Sequence, residues 1–219
     1  MGQQLIVRKE PIVQSIAVLP AGHLDMCNAV ASASAQAMGK SLWGKRSLKD
    51  ILQTMHWLDN DYPKLVRRIS RPGDLKRLYE AIKRHKLPYA QAISGDSVAI
   101  ALYPMPLSQT PREMRALQIT STEGDRTIKP VFVSGDVPDI RINPKTPMST
   151  GKTAAQVAHG ACMWLFGLDP KRRSIWMEKP GINTSLKSED REGALSIIDN
   201  GKTEIPSGSV TVTVQDPNK

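Results

Sequence analysis

Three polar side chains at helical spacing form the first group in this sequence that could act on a substrate. Lys152, Gln156 and His159 are separated by four and three residues, so a helix over residues 150–166 would place them on one face. Gly151 stands at the start of that helix, where backbone N–H groups can approach an anion closely. The spacing therefore predicts a polar helix face beside an anion site. His159 is equally explained as a half-buried histidine that is hydrogen-bonded to the backbone.

The run Gly-Lys-Thr at residues 151–153 also matches the last residues of a nucleotide-binding P-loop. That motif needs another glycine five positions before Gly151, and position 146 is a threonine. The spacing therefore excludes a P-loop ATPase.

A second polar group lies near the end of the chain, around an Asn-Gly turn. Asp199 lies at the end of a predicted strand, and the carboxyl ends of strands are where open α/β sheets bind their ligands. Thr203 and Thr211 lie in the segment that returns from the turn. Asp199 could instead cap the turn, and the two threonines could be ordinary strand residues.

These two segments together resemble the signatures of the type 2 peptidyl-tRNA hydrolase family. The family signatures have the form GKxAAQxxHA and DxGxTxIxxGSxT, and this chain has GKTAAQVAHG at 151–160 and DNGKTEIPSGSVT at 199–211. The whole chain is similar to long actinobacterial relatives of that family, in which a divergent leading half precedes the half with the motifs.

The resemblance implies hydrolysis of the ester bond between peptide and tRNA in peptidyl-tRNA, with tRNA as the partner and with no metal or other cofactor. It implies that the active-site residues are Lys152, Asp199, Thr203 and Thr211, with support from Gly151, Gln156 and His159. We expect Asp199 to orient or deprotonate the water, Lys152 to stabilise the oxyanion or a phosphate, and the threonines to hydrogen-bond the ester. The alternatives are a non-catalytic tRNA-binding or RNA-binding protein of the same fold, and a hydrolase for another ester or amide.

Positive charge is concentrated in the leading half of the chain. The formal net charge is +9, and residues 64–86 contain nine basic residues against two acidic ones. Such a patch attracts polyanions and makes their binding depend on salt, although a charge run is also typical of a solvated helix face. We expect the patch to hold the acceptor stem of tRNA by its backbone and shape, through residues that include Arg67, Arg68, Arg77 and Arg84.

Hydrophobic periodicity predicts a similar series of elements in both halves, with one more helix in the leading half. In the leading half, strands are predicted at residues 12–19, 64–70, 88–93 and 97–103, and helices at 25–37, 48–58 and 72–86. In the second half, strands are predicted at residues 137–142, 174–178, 195–199 and 209–214, and helices at 150–166 and 185–192. Asp25 is the predicted N-cap of the first helix.

We therefore predict an α/β protein with two similar lobes, each a small mixed β-sheet flanked by helices, as the resemblance to type 2 peptidyl-tRNA hydrolases also implies. Residues 1–107 form the leading lobe, which lacks the active-site motifs, and residues 136–219 form the lobe that carries them. Residues 108–135 are the connection, with an edge strand near Val131. The lobes could pack as an internal pseudo-dimer, or whole chains could form a homodimer, and catalysis should be confined to the second lobe.

Composition excludes several other classes of protein. The 219 residues are 40% hydrophobic and 23% charged, which is typical of a folded globular protein. No apolar run approaches the roughly 20 residues of a membrane span, and residues 8–11 interrupt any signal-like start, so we expect a cytoplasmic protein. Cys27 and Cys162 form no CxxC pair and no metal-ligand cluster, which predicts free thiols and no metal site.

Overall fold

The computed structural model describes residues 10–119, 122–187, 194–201 and 204–218, which form two mixed β-sheets and six α-helices. The leading lobe consists of β1 (Ile12–Leu19), α1 (His23–Trp43), α2 (Leu48–Asp59), β2 (Lys64–Arg68), α3 (Pro72–Arg84), β3 (Tyr89–Ser94) and β4 (Ser97–Leu102). The leading lobe ends with β5 (Met105–Pro106), a 3-10 turn (Leu107–Gln109) leads into the connection, and the connection contains α4 (Arg112–Arg115). The second lobe consists of β6 (Asp139–Ile142), α5 (Thr150–Gly167), α6 (Pro170–Glu178), β7 (Asn183–Leu186), β8 (Leu195–Ile198) and β9 (Val210–Gln215).

The two sheets have the same strand order. The first sheet has the order β2-β1-β4-β3, with β5 added at the start of β1, and the second has the order β7-β6-β9-β8. In each sheet the first two strands of that order are parallel, and the remaining neighbours are antiparallel. By position, β1 corresponds to β6, β2 to β7, β3 to β8 and β4 to β9. The predicted mixed α/β architecture is confirmed.

Helices α1 and α5 pack against each other, and each also contacts strands of both sheets. They run in the same direction, because His23 Nδ1 lies 2.8 Å from Thr150 Oγ1 near their starts and Ser34 Oγ lies 3.4 Å from Cys162 Sγ further along. Both helices are rich in buried alanine, which allows close approach on several sides. One hydrophobic core therefore extends through both lobes around these helices. Helix α3 packs on a separate core, on the other face of the first sheet.

Helix α6 replaces the strand that was predicted at residues 174–178. Its N-terminus explains the difference, because the Asp169 carboxylate accepts hydrogen bonds from the Lys171 and Arg172 N–H groups and Pro170 occupies the first turn. An N-cap aspartate followed by proline is a strong helix start. The short apolar run within α6 buries Trp176 against the core and does not pair with a strand.

Two further predictions of local structure fail, and a third fails over its described residues. Asp25 lies inside the first turn of α1, whose N-cap is Gly22. Val131 belongs to no strand, and its N–H donates to the Asp25 carboxylate at 2.9 Å. The start of the helix predicted at residues 185–192 instead belongs to β7, and residues 188–193 lie outside the described part of the chain.

The two cysteines are free, as predicted, and both are buried. Burial raises the pKa of the Cys27 thiol, so this side chain is a neutral part of the core. Over the described ranges, no helix combines the length and apolar character that crossing a membrane requires.

Candidate active site

A cleft of about 760 Å³ lies between the two lobes and brings together the residues of both sequence motifs. We call it the Lys152 cleft. One wall is the first turns of α5, the second is the end of β8, and the third is β2 of the leading lobe with the turn that precedes it. Its lining residues include Asp61, Tyr62, Lys64, Lys152, Gln156, His159, Asp199 and Glu204.

Asp199 is held in a fixed position immediately after β8. Its N–H donates to the Ser209 carbonyl at 3.0 Å and its carbonyl accepts from the Gly208 N–H at 2.9 Å, so the backbone is paired on both sides. Its Oδ1 accepts a 2.8 Å hydrogen bond from the Gly201 N–H. Gly201 has φ +71°, and a Cβ there would lie 2.7 Å from the Ser207 nitrogen. Only glycine fits this turn without strain, and the turn fixes the carboxylate.

The Asp199 carboxylate is the centre of a chain of hydrogen bonds that joins α5 to β9. Its Oδ2 accepts from the Lys152 ammonium and, at 2.6 Å, from Gln156 Nε2. Gln156 Oε1 in turn lies 3.1 Å from Thr211 Oγ1. Lys152 and Gln156 are one helical turn apart and therefore reach the same oxygen. The predicted polar face of α5 and the predicted tail residue Asp199 thus meet.

These contacts keep Asp199 ionised. Burial by itself raises the pKa of the carboxyl, since only 5% of the residue is exposed. Hydrogen bonds from Lys152, Gly201 and Gln156 outweigh that effect and hold the pKa below its usual value. An ionised carboxylate can orient a water molecule by accepting its hydrogen bond, and the neighbouring lysine can polarise a carbonyl, but a carboxylate with a lowered pKa is a weak proton acceptor.

Thr211 is fully buried beneath this network and does not line the cleft. Its hydroxyl lies 3.1 Å from both Gln156 Oε1 and the Ile197 carbonyl, so it acts on the site through Gln156. Thr203 lies outside the described residues. Gln156 has a more central place than its predicted supporting role, because it bonds both Asp199 and Thr211.

His159 takes no part in the Lys152–Asp199 network. Its ring packs edge-on against Tyr62 with the centroids 4.5 Å apart, and its Nδ1 is buried without a hydrogen-bond partner among the described residues. Burial, together with the charges of Lys64 and Lys152, lowers the pKa of His159 well below its usual value, so the ring is neutral. The backbone-bonded histidine that was the alternative interpretation is not observed for this nitrogen.

The leading lobe contributes Tyr62 and Lys64 to the cleft, which sequence reasoning did not assign to the site. The Lys64 ammonium lies 4.2 Å from the Trp57 ring centroid and 5.0 Å from that of Tyr62, in cation–π contact. Burial lowers the pKa of Lys64 to about 8. Only contacts between the lobes place these residues here, so no local pattern in the sequence could have shown them.

The turn before β2 is strained. Asp61 and Tyr62 have φ values of 60° and 29°, a region that residues other than glycine rarely occupy. The Tyr62 N–H donates to the Trp57 carbonyl at 3.0 Å, which ties the turn to the end of α2. Backbone strain of this kind persists where surrounding contacts enforce it, and it is often found at functional sites.

The start of α5 is closed by the protein's own groups and does not offer the predicted anion site. Glu204 accepts from the Ser149 N–H at 2.8 Å, and Glu123 accepts from the Thr150 N–H at 3.3 Å. The Gly151 N–H donates to the Thr122 carbonyl at 2.9 Å. Gly151 therefore permits close packing against the connection, where a Cβ would lie 3.2 Å from the Thr122 side chain.

The four arginines predicted to bind RNA have different environments. Arg67 is only 5% exposed and donates to the Arg115 and Leu117 carbonyls at 3.2 Å, so it does not belong to an exposed RNA-binding surface. Arg68 is half-buried. Arg77 and Arg84 are exposed on α3, where they pair with Asp74 and Glu113 respectively. Helix α3 and the Lys152 cleft lie on opposite sides of the first sheet, because the cleft is built on the α1 and α5 side.

Comparison with known proteins adds no family to this description. No protein-family model matches the chain, and no curated protein matches it. The functional proposal below therefore depends on the two motifs and on the geometry of the cleft.

Proposed function

We propose that this protein hydrolyses the ester bond of peptidyl-tRNA in the Lys152 cleft. The observation that carries the proposal is the contact between Lys152 and Asp199, which are 47 residues apart and belong to the two separate motifs. The resemblance of these motifs to type 2 peptidyl-tRNA hydrolases supplies the substrate. The cleft is large enough for the end of a substrate, since small-molecule sites usually occupy about 300–1,000 Å³.

In the proposed reaction, water attacks the carbonyl carbon of the ester. Asp199 accepts a hydrogen bond from that water and orients it, and the Lys152 ammonium stabilises the oxyanion that forms. The bond to the ribose oxygen then breaks, that oxygen takes up one proton of the attacking water to become a hydroxyl, and the other proton is released to solvent as the peptide leaves as a carboxylate. Gln156 holds Asp199 in place, and Thr211 holds Gln156.

We further propose that the lobes form an internal pseudo-dimer in which only one site keeps the chemistry. The shared strand order of the sheets and the parallel packing of α1 against α5 support this arrangement. The leading lobe completes the site by supplying Tyr62 and Lys64 to it. A motif-bearing lobe without its partner would therefore have an incomplete cleft.

The test is the release of peptide from N-acetyl-phenylalanyl-tRNA. Lys152→Ala and Asp199→Ala should each lower the rate at least about a hundredfold, as expected for loss of an electrostatic or orienting group. The matched controls are Lys145→Ala and Asp96→Ala, which remove the same charges from exposed positions and should leave the rate unchanged. Rates near that of the wild type for both site variants would refute the assignment.

A non-catalytic tRNA-binding protein is the second candidate, and the exposed basic face of α3 favours it. Lys76, Arg77, Lys83 and Arg84 are all exposed there and could contact phosphates. Binding of tRNA at low salt without any release of peptide would support this alternative over hydrolysis. Replacement of Arg77 and Arg84 by alanine should then weaken binding and reduce its dependence on salt.

A further inference from the structure

A second cleft, of about 520 Å³, lies on the other side of the α1 and α5 pair. We call it the Asn28 cleft. Helix α1 forms its floor, β3 forms one wall, and the residues that precede β7 form the other wall, together with Val133 of the connection. None of the described residues that line it carries a charge.

The Asn28 cleft is the counterpart of the Lys152 cleft in the other lobe. Helix α1 corresponds to α5, β3 to β8 and β7 to β2, and each cleft lies between one such set of elements. The contact between His23 and Thr150 aligns the two helices, so that Asp25 takes the place of Lys152. The Asp25 carboxylate accepts hydrogen bonds from Ser94 Oγ and the Val131 N–H, both at 2.9 Å. The residue at the position of Lys152 is thus held in structural hydrogen bonds, whereas the cleft beside it stays open.

Strand β3 presents an open main-chain edge to this cleft. In an antiparallel ladder, hydrogen-bonded pairs alternate with pairs that are not hydrogen-bonded. Pro88 and Tyr103 are a hydrogen-bonded pair at the start of the β3–β4 ladder, so the N–H and C=O groups of Gln91 and Ile93 point away from β4. In agreement, the Gln91 carbonyl accepts a long hydrogen bond of 3.5 Å from the Gln36 side chain on α1. Within the described ranges, β3 pairs with no strand other than β4.

Asn28 adds an unpaired amide to the floor of the same cleft. Its Oδ1 and Nδ2 are both buried and have no partner among the described residues, and the side chain is 2% exposed. A buried amide without partners is costly, and such groups are nearly always hydrogen-bonded in folded proteins. Asn28 therefore offers one donor and one acceptor to a ligand.

The protein contains an example of what such an amide binds. Asn183 Oδ1 accepts from the Val133 N–H and its Nδ2 donates to the Val133 carbonyl, both at 2.9 Å. The side-chain amide thus takes the place of a neighbouring strand and satisfies one peptide unit of extended backbone. Asn28 has the same two groups but no peptide unit to bind.

We propose that the Asn28 cleft binds a neutral, extended peptide segment, which pairs with the edge of β3 and with the amide of Asn28. Pairing with an open strand edge gives affinity through main-chain hydrogen bonds, and pockets for alternate side chains give selectivity. The apolar walls formed by Val133 and Ile182 suit small aliphatic side chains. The absence of charge from the described lining disfavours a phosphate-bearing ligand, because no cation is available to pair with it.

The test uses the full chain and the probe acetyl-Val-Thr-Val-Thr-Val-amide, followed through backbone and side-chain amide signals by NMR. The peptide should shift the amide signals of Gln91 and Ile93 and the side-chain amide of Asn28. Asn28→Leu should weaken binding at least about tenfold and also raise Tm, because it removes an unpaired buried amide. A purely structural asparagine would give the opposite change in Tm.

Two further variants separate the strand edge from the rest of the cleft. Ile93→Pro removes one outward N–H and should abolish binding, since proline is tolerated at edge strands where that group faces away from the ladder. Its control, Ile93→Thr, keeps the N–H and should bind like the wild type. The proposal is overturned if saturating peptide leaves the Gln91 and Ile93 signals unmoved. It is also overturned if uridine, a ligand without an extended backbone, shifts these signals and the peptide does not. Neither result depends on whether the Lys152 cleft cleaves peptidyl-tRNA.

Discussion

The replacement Thr211→Val separates two roles that Thr211 could have in the site. The family resemblance implies that this threonine contacts the substrate, whereas the structure shows a fully buried hydroxyl 3.1 Å from Gln156 Oε1. Valine has nearly the same volume but cannot donate. The change therefore leaves the packing intact and removes only the hydroxyl, which supports Gln156 and also lies 3.1 Å from the Ile197 carbonyl.

The structure sets the size of the expected effect. The variant loses one buried hydrogen bond and leaves the Gln156 carbonyl oxygen without its donor, which should cost about 1–3 kcal/mol of unfolding free energy. For a chain of this length that corresponds to a fall in Tm of roughly 2–4 °C for each kcal/mol. Loosening of the 2.6 Å bond from Gln156 to Asp199 should lower kcat by about ten- to a hundredfold. KM should change little, because Thr211 does not line the cleft.

The assay combines urea denaturation with turnover of N-acetyl-phenylalanyl-tRNA. Thr211→Ser keeps the hydroxyl and should restore most of kcat. The double variant of Thr211→Val with Gln156→Ala should be about as slow as the slower single variant, since contacting residues are not additive. A Thr211→Val protein with normal stability and a raised KM would show that the hydroxyl binds substrate directly, and the positioning role would be wrong.

Three other predictions concern the charged groups. The pKa of Asp199 lies below its ordinary value of 3.8, so its stabilising effect should be complete above about pH 5 and should fade as the pH falls through the lowered pKa. Urea denaturation of the wild type and Asp199→Asn should therefore converge in acid, and a constant difference would contradict this. The pKa of Lys64 is lowered from 10.5 to about 8, so this side chain binds fewer protons in the folded than in the unfolded state between these values, and it should add a rise to the stability of the wild type over that range. Lys64→Met should lack that rise when Tm is measured against pH, and an identical rise in the variant would exclude Lys64 as its source. Arg172 binds both Asp136 and Asp216, at 2.6 and 2.7 Å, so Arg172→Ala should lower the unfolding free energy by about 1–3 kcal/mol in urea. Arg172→Lys should not restore it, since a lysine cannot make paired hydrogen bonds to two carboxylates, and full recovery would count against this account.

The repeating elements could be predicted from the sequence because most of them depend on local patterns. The prediction for β1 matches its bounds, and α5 begins and ends within a residue of the prediction. Helix α1 extends six residues beyond the predicted end at Ala37, since alanine, glycine and serine give little periodicity when a helix is buried on nearly all sides. The prediction at α6 was wrong because the short apolar run there resembles a strand, whereas the Asp169-Pro170 start favours a helix.

The residues of the candidate site could be predicted where they belong to the sequence motifs, but not where packing between the lobes places them. The resemblance of the two motifs to one family implied that Lys152 and Asp199 would act together, and their contact is observed. Tyr62 and Lys64 could not be predicted, because they reach the cleft only through the packing of one lobe on the other. The RNA-binding role predicted for Arg67 was wrong because a charge count does not show that this side chain is buried and donates to the Arg115 and Leu117 carbonyls.

Helices α1 and α5 are equivalent but are encoded at different places in one chain, which affects how the two clefts can evolve. In an assembly of identical subunits, one codon specifies both copies of a helix, so a substitution that suits one site is imposed on the other. Here the same structural position holds Asp25 in one helix and Lys152 in the other. A single chain of this kind can therefore acquire opposite charges at equivalent places, and selection can act on one cleft without altering its counterpart.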